Sequence, residues 1–339
     1  MKKLKQILKR IIFKHPKYLA SPKWQGSGLL NVGVICNEAF PQAKWEELLN
    51  ARFKDCARFC NIIFIKNKIE KYALAQNINV YFTDWLDEKY LSFAQSLKWV
   101  HFARSGIEFL EGVDMPGVIV TTSAGISSKY VAEYALAMIL MFLRRIDIAI
   151  ANQINYKWEQ TSILSHTNSI DEITVGICGL GNNGKAAANL CKKAGFRVVG
   201  FDKKEPIDFS SLDVFLNGGQ FDEFVKMSDF IVICVPLNKS TANMFGASQF
   251  SIMKSNAYII NTSRAGIIDE AALRKALNAG KIAAASTDVL PKEPCSWWYF
   301  LRRNKNFVIT PHIAGNIKLV AREIQSDFIE KLKDYIQKK

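Results

Sequence analysis

The chain has 339 residues, of which 49% are hydrophobic and 22% charged. That is the balance of a folded protein with room for two ordinary domains, and it excludes disordered and collagen-like classes. Basic residues exceed acidic ones by 45 to 31, a net charge of +14. Eight of those positive charges (Lys2, Lys3, Lys5, Lys9, Arg10, Lys14, Lys17 and Lys23) fall in residues 1–24, which hold no acid, so the body of the chain is only mildly basic. Clustering of charge at one end argues against a nucleic-acid interface spread over the fold, and no nucleic-acid partner is expected.

In the basic end, Leu4, Ile7, Leu8, Ile11 and Ile12 recur at helical spacing, so residues 1–28 read as an amphipathic extension with a lysine-rich face. Such a helix can pack on the body, or dock on an anionic membrane surface or a partner. Its apolar stretch is too short and too interrupted for a secretory signal, and no run reaches the roughly 20 residues that span a bilayer.

From Asn31 onward strands alternate with helices: NVGVIC, a helix over 43–51, IIFIK, a helix over 68–75, INVYF, then KWVHF and GVIVTT. This alternation predicts a parallel sheet with crossover helices. An apolar helix over 127–151 follows. After a polar stretch a second series begins with TVGICG, a helix over 183–194, RVVGFD, DFIVICV, AYIINTS, a helix over 269–279, and AAASTDV. A last helix over 316–336 is available to return to the first domain. The expected architecture is therefore α/β, with two doubly wound parallel-sheet domains. The first is discontinuous and flavodoxin-like (29–123 with 316–339), and the second is a Rossmann domain (124–315).

Seven cysteines, an odd number scattered over a long chain, are expected to be reduced in a cytoplasmic protein. Cys56 and Cys60 are expected on one helix face. None of the four histidines lies near cysteines at zinc-site spacing, so no metal is expected.

The most informative local pattern is Gly179-Leu180-Gly181-Asn182-Asn183-Gly184 between a strand and a helix. The first glycine permits a tight turn, the second admits a pyrophosphate close to backbone N–H groups, and the third lets helix and strand pack closely. The next strand ends in Asp202, 23 residues after Gly179, where a carboxylate accepts from ribose hydroxyls and repels a 2′-phosphate. NAD is favoured over NADP, although Lys203 and Lys204 follow. Asn183 stands where an aliphatic residue commonly packs the turn.

Further along, CVPLNKSTANMF, NTSRAG followed by DEAAL, DV followed by EP, and TPHIAG complete a set that resembles the D-isomer-specific 2-hydroxyacid dehydrogenases. The resemblance implies hydride transfer between NAD(H) and a 2-oxo acid. It also implies a catalytic set of Arg264, Glu293 and His312, in which arginine grips the substrate and polarises its carbonyl, histidine moves the proton, and glutamate orients the imidazole. By the same match Val235, Pro236, Thr262, Ser263, Asp288 and Gly315 line the cofactor site. Asp288 is then the partner of the carboxamide, and Ser105, Gly106 and Ile107 hold the substrate carboxylate. Arg104 can add charge there, whereas His101 reads as a packed core residue. Glu108, and Ala265 in place of a glycine, depart from the family pattern. Members pair through the long helix of the nucleotide domain, so a homodimer through 127–151 is expected. The alternative is an NAD(H)-sensing regulatory protein of the same fold with little turnover.

Overall fold

The computed structural model describes residues 28–110, 112–205, 208, 210–296, 298–315 and 317–337. The amphipathic helix expected in the basic N-terminal segment lies outside them. The chain divides into two compact units, one made of the residues up to Ala124 together with those from Ile317 onward, the other running from Gly125 up to 316.

In chain order the first unit holds β1 (Leu30–Ile35), α1 (Gln42–Arg52), β2 (Cys60–Ile65), α2 (Lys68–Leu74), β3 (Val80–Thr83), α3 (Glu88–Phe93), β4 (Trp99–Phe102) and β5 (Ile119–Thr122). The second holds α4 (Ser128–Leu143), α5 (Ile146–Ile154), α6 (Gln160–Leu164), β6 (Thr174–Cys178), α7 (Asn182–Lys193), β7 (Arg197–Asp202), β8 (Val214–Asn217), α8 (Phe221–Met227), β9 (Phe230–Ile233), α9 (Ala247–Ile252), β10 (Tyr258–Asn261), α10 (Glu270–Asn278), β11 (Ala284–Thr287) and β12 (Phe307–Ile309). The final helix, α11 (Ile317–Gln337), belongs to the first unit.

Both sheets are parallel throughout. The first has the order β2-β1-β3-β4-β5 and the second β12-β11-β10-β9-β6-β7-β8. Helices cover both faces of such sheets, which is why the inner strands β3, β4, β6, β9, β10 and β11 are buried along their whole length and read as unbroken apolar runs. The edge strands β8 and β12 are partly exposed. Neither shows in the sequence alternation, because VFLN follows a polar run and FVI is only three residues long.

Aromatic side chains dominate the core of the first unit. Phe328 of α11 lies 5.1 Å from Phe82 and 5.5 Å from Trp99, and Tyr335 lies 5.1 Å from Trp99, so the terminal helix supplies one face of that core. His101 stacks on Phe82 inside it. Its two ring nitrogens sit 2.8 Å from the Thr121 hydroxyl and 2.9 Å from the Ser123 hydroxyl. Burial, reinforced by the Lys331 charge, pushes its pKa well down, so it is a neutral core residue.

Two expectations need correction. The apolar helix over 127–151 is not continuous: α4 ends at Leu143 and α5 starts at Ile146, with Arg145 in the left-handed region (φ 53°) between them. The Arg145 guanidinium is tied to the Tyr258 hydroxyl at 2.8 Å and to Asp147 at 3.4 Å, which holds the chain in the bend. Cys56 and Cys60 do not share a helix face either. Cys56 lies in a 3-10 turn (Lys54–Phe59) that runs directly into β2, where Cys60 is the first residue.

Candidate active site

Every candidate of the second unit lies at the carboxyl edge of its sheet. The glycine turn follows β6, Asp202 ends β7, Val235 and Pro236 follow β9, Thr262 to Arg264 follow β10, Asp288 follows β11, and His312 follows β12. The strand order reverses between β6 and β9, and open α/β sheets bind ligands at that switch point.

The turn itself is close-packed. Gly179 has φ +97°, and a Cβ there would sit 2.8 Å from both the backbone nitrogen and Cγ1 of Val235. At Gly184, the third residue of α7, a Cβ would come within 1.8 Å of the Gly179 carbonyl oxygen. Gly181, by contrast, faces open space. The three glycines thus serve a strained turn, an unobstructed approach and a tight helix contact, which is the cradle a diphosphate needs. Gly184→Ala is therefore expected to displace the turn and weaken NADH binding about 5- to 150-fold, the equivalent of the about 1–3 kcal/mol that overpacking costs. Fluorescence titration with NADH checks this.

Asp202 closes the cradle. One carboxylate oxygen accepts from the Leu180 N–H at 2.7 Å and the other from the Lys204 N–H at 3.1 Å, which holds the acid beside the turn. Lys203 donates instead to Ser240 at 2.7 Å. Asn183 accepts a 2.7 Å hydrogen bond from the Ser128 hydroxyl, tying α7 to the start of α4, so its amide is used structurally. Asn182, the first residue of α7, lies beside Gly125.

Buried Asn261 shapes the Arg264 loop: its side chain accepts from the Ser263 N–H at 3.0 Å and donates to the Arg264 carbonyl at 2.8 Å. The Thr262 hydroxyl donates to the Ile233 carbonyl at 3.0 Å, and that of Ser263 to the Val235 carbonyl. The Pro236 carbonyl accepts from Thr241 at 2.6 Å. Backbone at the ends of β9 and β10 is thereby locked together.

The His312 imidazole is held by Glu293. Its Nδ1 lies 2.8 Å from Glu293 Oε2, while Glu293 Oε1 accepts from the Leu290 N–H at 2.9 Å. Burial by itself would raise the pKa of Glu293, but the hydrogen bond from His312, the Leu290 N–H and the charges of His312 and Arg264 outweigh it and leave that pKa lowered. The carboxylate therefore stays ionised as pH falls until below the ordinary carboxylate range. An ionised Glu293 can only accept, so Nδ1 carries the hydrogen and Nε2 is the nitrogen that gives or takes a proton.

The His312 backbone is in the left-handed region (φ 56°), and Asp288 maintains it there. This buried carboxylate accepts from the N–H groups of Ile313 (2.8 Å) and Ala314 (2.7 Å) and from the Thr310 hydroxyl (2.6 Å). Thr310 Oγ1 lies 2.7 Å from the Tyr134 hydroxyl of α4, which is the donor because Thr310 gives its own proton to Asp288. Asp288 is thus a positioning residue for the histidine loop. The sequence reading omits Asn261, Thr310 and Tyr134. Asn261 and Thr310 open the NTSRAG and TPHIAG segments without being assigned a role there, whereas Tyr134 is 176 residues from Thr310 and carries no local signal. Gly315 leaves room, with the Ser127 side chain 3.8 Å from where its Cβ would be.

In the first unit, Ser105, Gly106 and Ile107 lie on the loop after β4, Ser105 exposed and the other two half-buried. The Ile107 carbonyl accepts from the Leu110 N–H at 2.9 Å. Arg104 stands over the Phe109 ring at 5.9 Å.

Burial pushes the thiols of Cys60, Cys191 and Cys234 up to about 12 and that of Cys36 to about 11, which keeps them protonated at neutral pH. Among the described residues, no group of three or more His, Cys, Asp or Glu side chains is placed to hold a metal ion. Nor is any described helix long and apolar enough to cross a membrane.

Residues 136–314 match the family model for the NAD binding domain of D-isomer specific 2-hydroxyacid dehydrogenases. The chain belongs to this family. It is 31% identical to a glyoxylate reductase of Thermococcus litoralis over 273 residues, 78% of this chain and 81% of that one. To a D-3-phosphoglycerate dehydrogenase of Archaeoglobus fulgidus it is 32% identical over 241 residues, 69% of this chain but only 44% of that longer protein. Among solved structures, a D-isomer specific 2-hydroxyacid dehydrogenase family protein from Aeromonas salmonicida superposes with a TM-score of 0.75 at 22% identity, over 91% of this chain and 96% of that one. D-lactate dehydrogenase from Aquifex aeolicus, complexed with NAD and lactic acid, gives 0.70 at 24% identity, over 89% and 94%. These likenesses show the 2-hydroxyacid dehydrogenase fold.

Proposed function

We propose that this 2-hydroxyacid dehydrogenase is an NAD-dependent reductase of 2-oxo acids, reversible toward the D-2-hydroxy acid. The observation that carries the reading is the Glu293–His312 pair, 2.8 Å apart, at the same sheet edge as the glycine turn and Arg264. Gly179, Gly181, Asn182, Asn183, Gly184, Asp202, Val235, Pro236, Thr262, Ser263, Asp288 and Gly315 would hold the cofactor, which supplies the hydride. Arg264 would bind the substrate carboxylate and polarise its carbonyl through forked, permanently charged donors. His312 Nε2 gives the carbonyl oxygen its proton, and Glu293 stabilises the imidazolium from Nδ1. Ser105, Gly106 and Ile107 would hold the substrate carboxylate through backbone N–H groups. Relatives named glyoxylate reductase and hydroxypyruvate reductase fit this direction. The test is NADH oxidation over a panel of 2-oxo acids, with NADPH as comparison. Turnover with NADH is expected; tight NADH binding without turnover on any member would instead favour a sensor.

Free cysteines fit a reducing cytoplasm. A homodimer is also proposed, through the 127–151 segment, with the exposed row at its end extending past it. Ile146, Ile150 and Ile154 recur every fourth residue along α5 with Ile154 71% exposed, and Trp158, 90% exposed, follows. An apolar row of this size is costly to leave in water, since each buried isoleucine contributes about 1.5–3 kcal/mol. Light scattering should give twice the chain mass, and a monomer at micromolar concentration would refute the dimer.

A further inference from the structure

Trp85, in the first unit, lies two residues past the end of β3 with 44% of its surface exposed, yet it is firmly anchored. The buried Thr83 hydroxyl donates to the Trp85 carbonyl at 3.0 Å and lies 3.3 Å from the Trp85 N–H, and Lys71 Nζ donates to the same carbonyl at 3.0 Å. The Phe109 ring is 6.3 Å from the indole and packs edge-on against buried Phe102 at 5.4 Å. The indole is therefore braced from the core outward, with its remaining surface presented to solvent.

Position gives this exposure a meaning. Thr83 is in register with Phe102, so the segment carrying Trp85 leaves the sheet at the same edge as the Arg104–Ile107 loop, and Phe109 lies near both Trp85 (6.3 Å) and Arg104 (5.9 Å). β3 also borders β1 where the strand order of this sheet reverses, which is where open α/β sheets take their ligands. The charges nearby are mixed: Lys71 and Arg104 over the aromatic rings, with Asp84 and Asp87 acting on Lys71. The Lys71 charge over the indole is countered by Asp87 and Asp84, and the exposed part of the indole with the Phe109 ring behind it offers an apolar surface.

We propose that Trp85, backed by Phe109, is a specificity-determining residue that receives the C3 substituent of the substrate, so that the preferred 2-oxo acids carry an aryl or large apolar group. The proposal rests on the reductase reading and narrows it. Full-length protein would be assayed with NADH against phenylpyruvate, glyoxylate, hydroxypyruvate and 2-oxoglutarate. The expected result is a higher kcat/KM for phenylpyruvate than for the other three. In Trp85→Ala, the phenylpyruvate to glyoxylate ratio should fall about tenfold or more, the scale of a lost apolar contact, and Trp85→Phe should restore most of it. Using a ratio from one preparation separates specificity from loss of folded protein, and the wild-type preference is informative even if Trp85→Ala does not fold. A wild-type preference for glyoxylate, hydroxypyruvate or 2-oxoglutarate, or a ratio unmoved in Trp85→Ala, would overturn the proposal and leave the reductase reading intact. Failure to reduce any of the four despite NADH binding would instead defeat the reading on which it rests.

Discussion

His312→Gln is expected to lower kcat for 2-oxo acid reduction by about 10²- to 10⁴-fold, the usual worth of a positioned acid–base group, while NADH affinity changes less than threefold. The geometry makes the split interpretable. The loop at this point is held by backbone N–H groups of Ile313 and Ala314 on Asp288, not by the imidazole, so glutamine inherits the same backbone position. Glutamine retains hydrogen-bonding capacity toward Glu293 but has no proton to release near neutral pH. Steady-state kinetics with parallel NADH titration check the prediction. Loss of cofactor binding in proportion to kcat would mean that the loop, and not the proton transfer, had been damaged.

Arg264→Gln is the second large effect, with an expected loss of about 10²- to 10³-fold in kcat/KM for the 2-oxo acid, comparable to removing a preorganised donor from a developing oxyanion. Arg264→Lys should recover only part of it, because charge is kept but the forked geometry is not. The loop should survive either change: the guanidinium donates to the Ser263 carbonyl at 2.7 Å, but Asn261 still holds the Arg264 carbonyl and the Ser263 N–H when that bond is lost. The Arg264 charge also contributes to keeping Glu293 ionised, so in Arg264→Gln the acid limb of the pH–rate profile is expected to move toward higher pH. A variant equal to wild type in kcat/KM across the pH range would remove Arg264 from the mechanism.

How far the sequence carried depended on whether the deciding interaction was local. The glycine turn and Asp202 were legible because each acts through its own place at a strand end, and buried parallel strands announce themselves as apolar runs. The break between α4 and α5 was hidden. The apolar pattern continues through it, and the bend is held by Arg145 reaching Tyr258, 113 residues away. Cys56 and Cys60 misled because a four-residue spacing suits a helix, but a 3-10 turn feeding a strand takes the same spacing. For the site, the family resemblance named Arg264, Glu293 and His312, whereas the bracing by Asp288, Thr310 and Tyr134 exists only once β11, β12 and α4 are brought together. Trp85 carries no such signal, since nothing in a run of aromatics and acids distinguishes an exposed ring from a buried one.

The most direct test follows the hydride and the proton together. Protein would be mixed with NADH deuterated at the transferring C4 position and a 2-oxo acid, and the product analysed for isotope and configuration. The account predicts one deuterium on C2 of a D-2-hydroxy acid in wild type, and loss of that product in His312→Gln at unchanged NADH occupancy. Product without deuterium, an L-hydroxy acid, or undiminished formation in His312→Gln would contradict it.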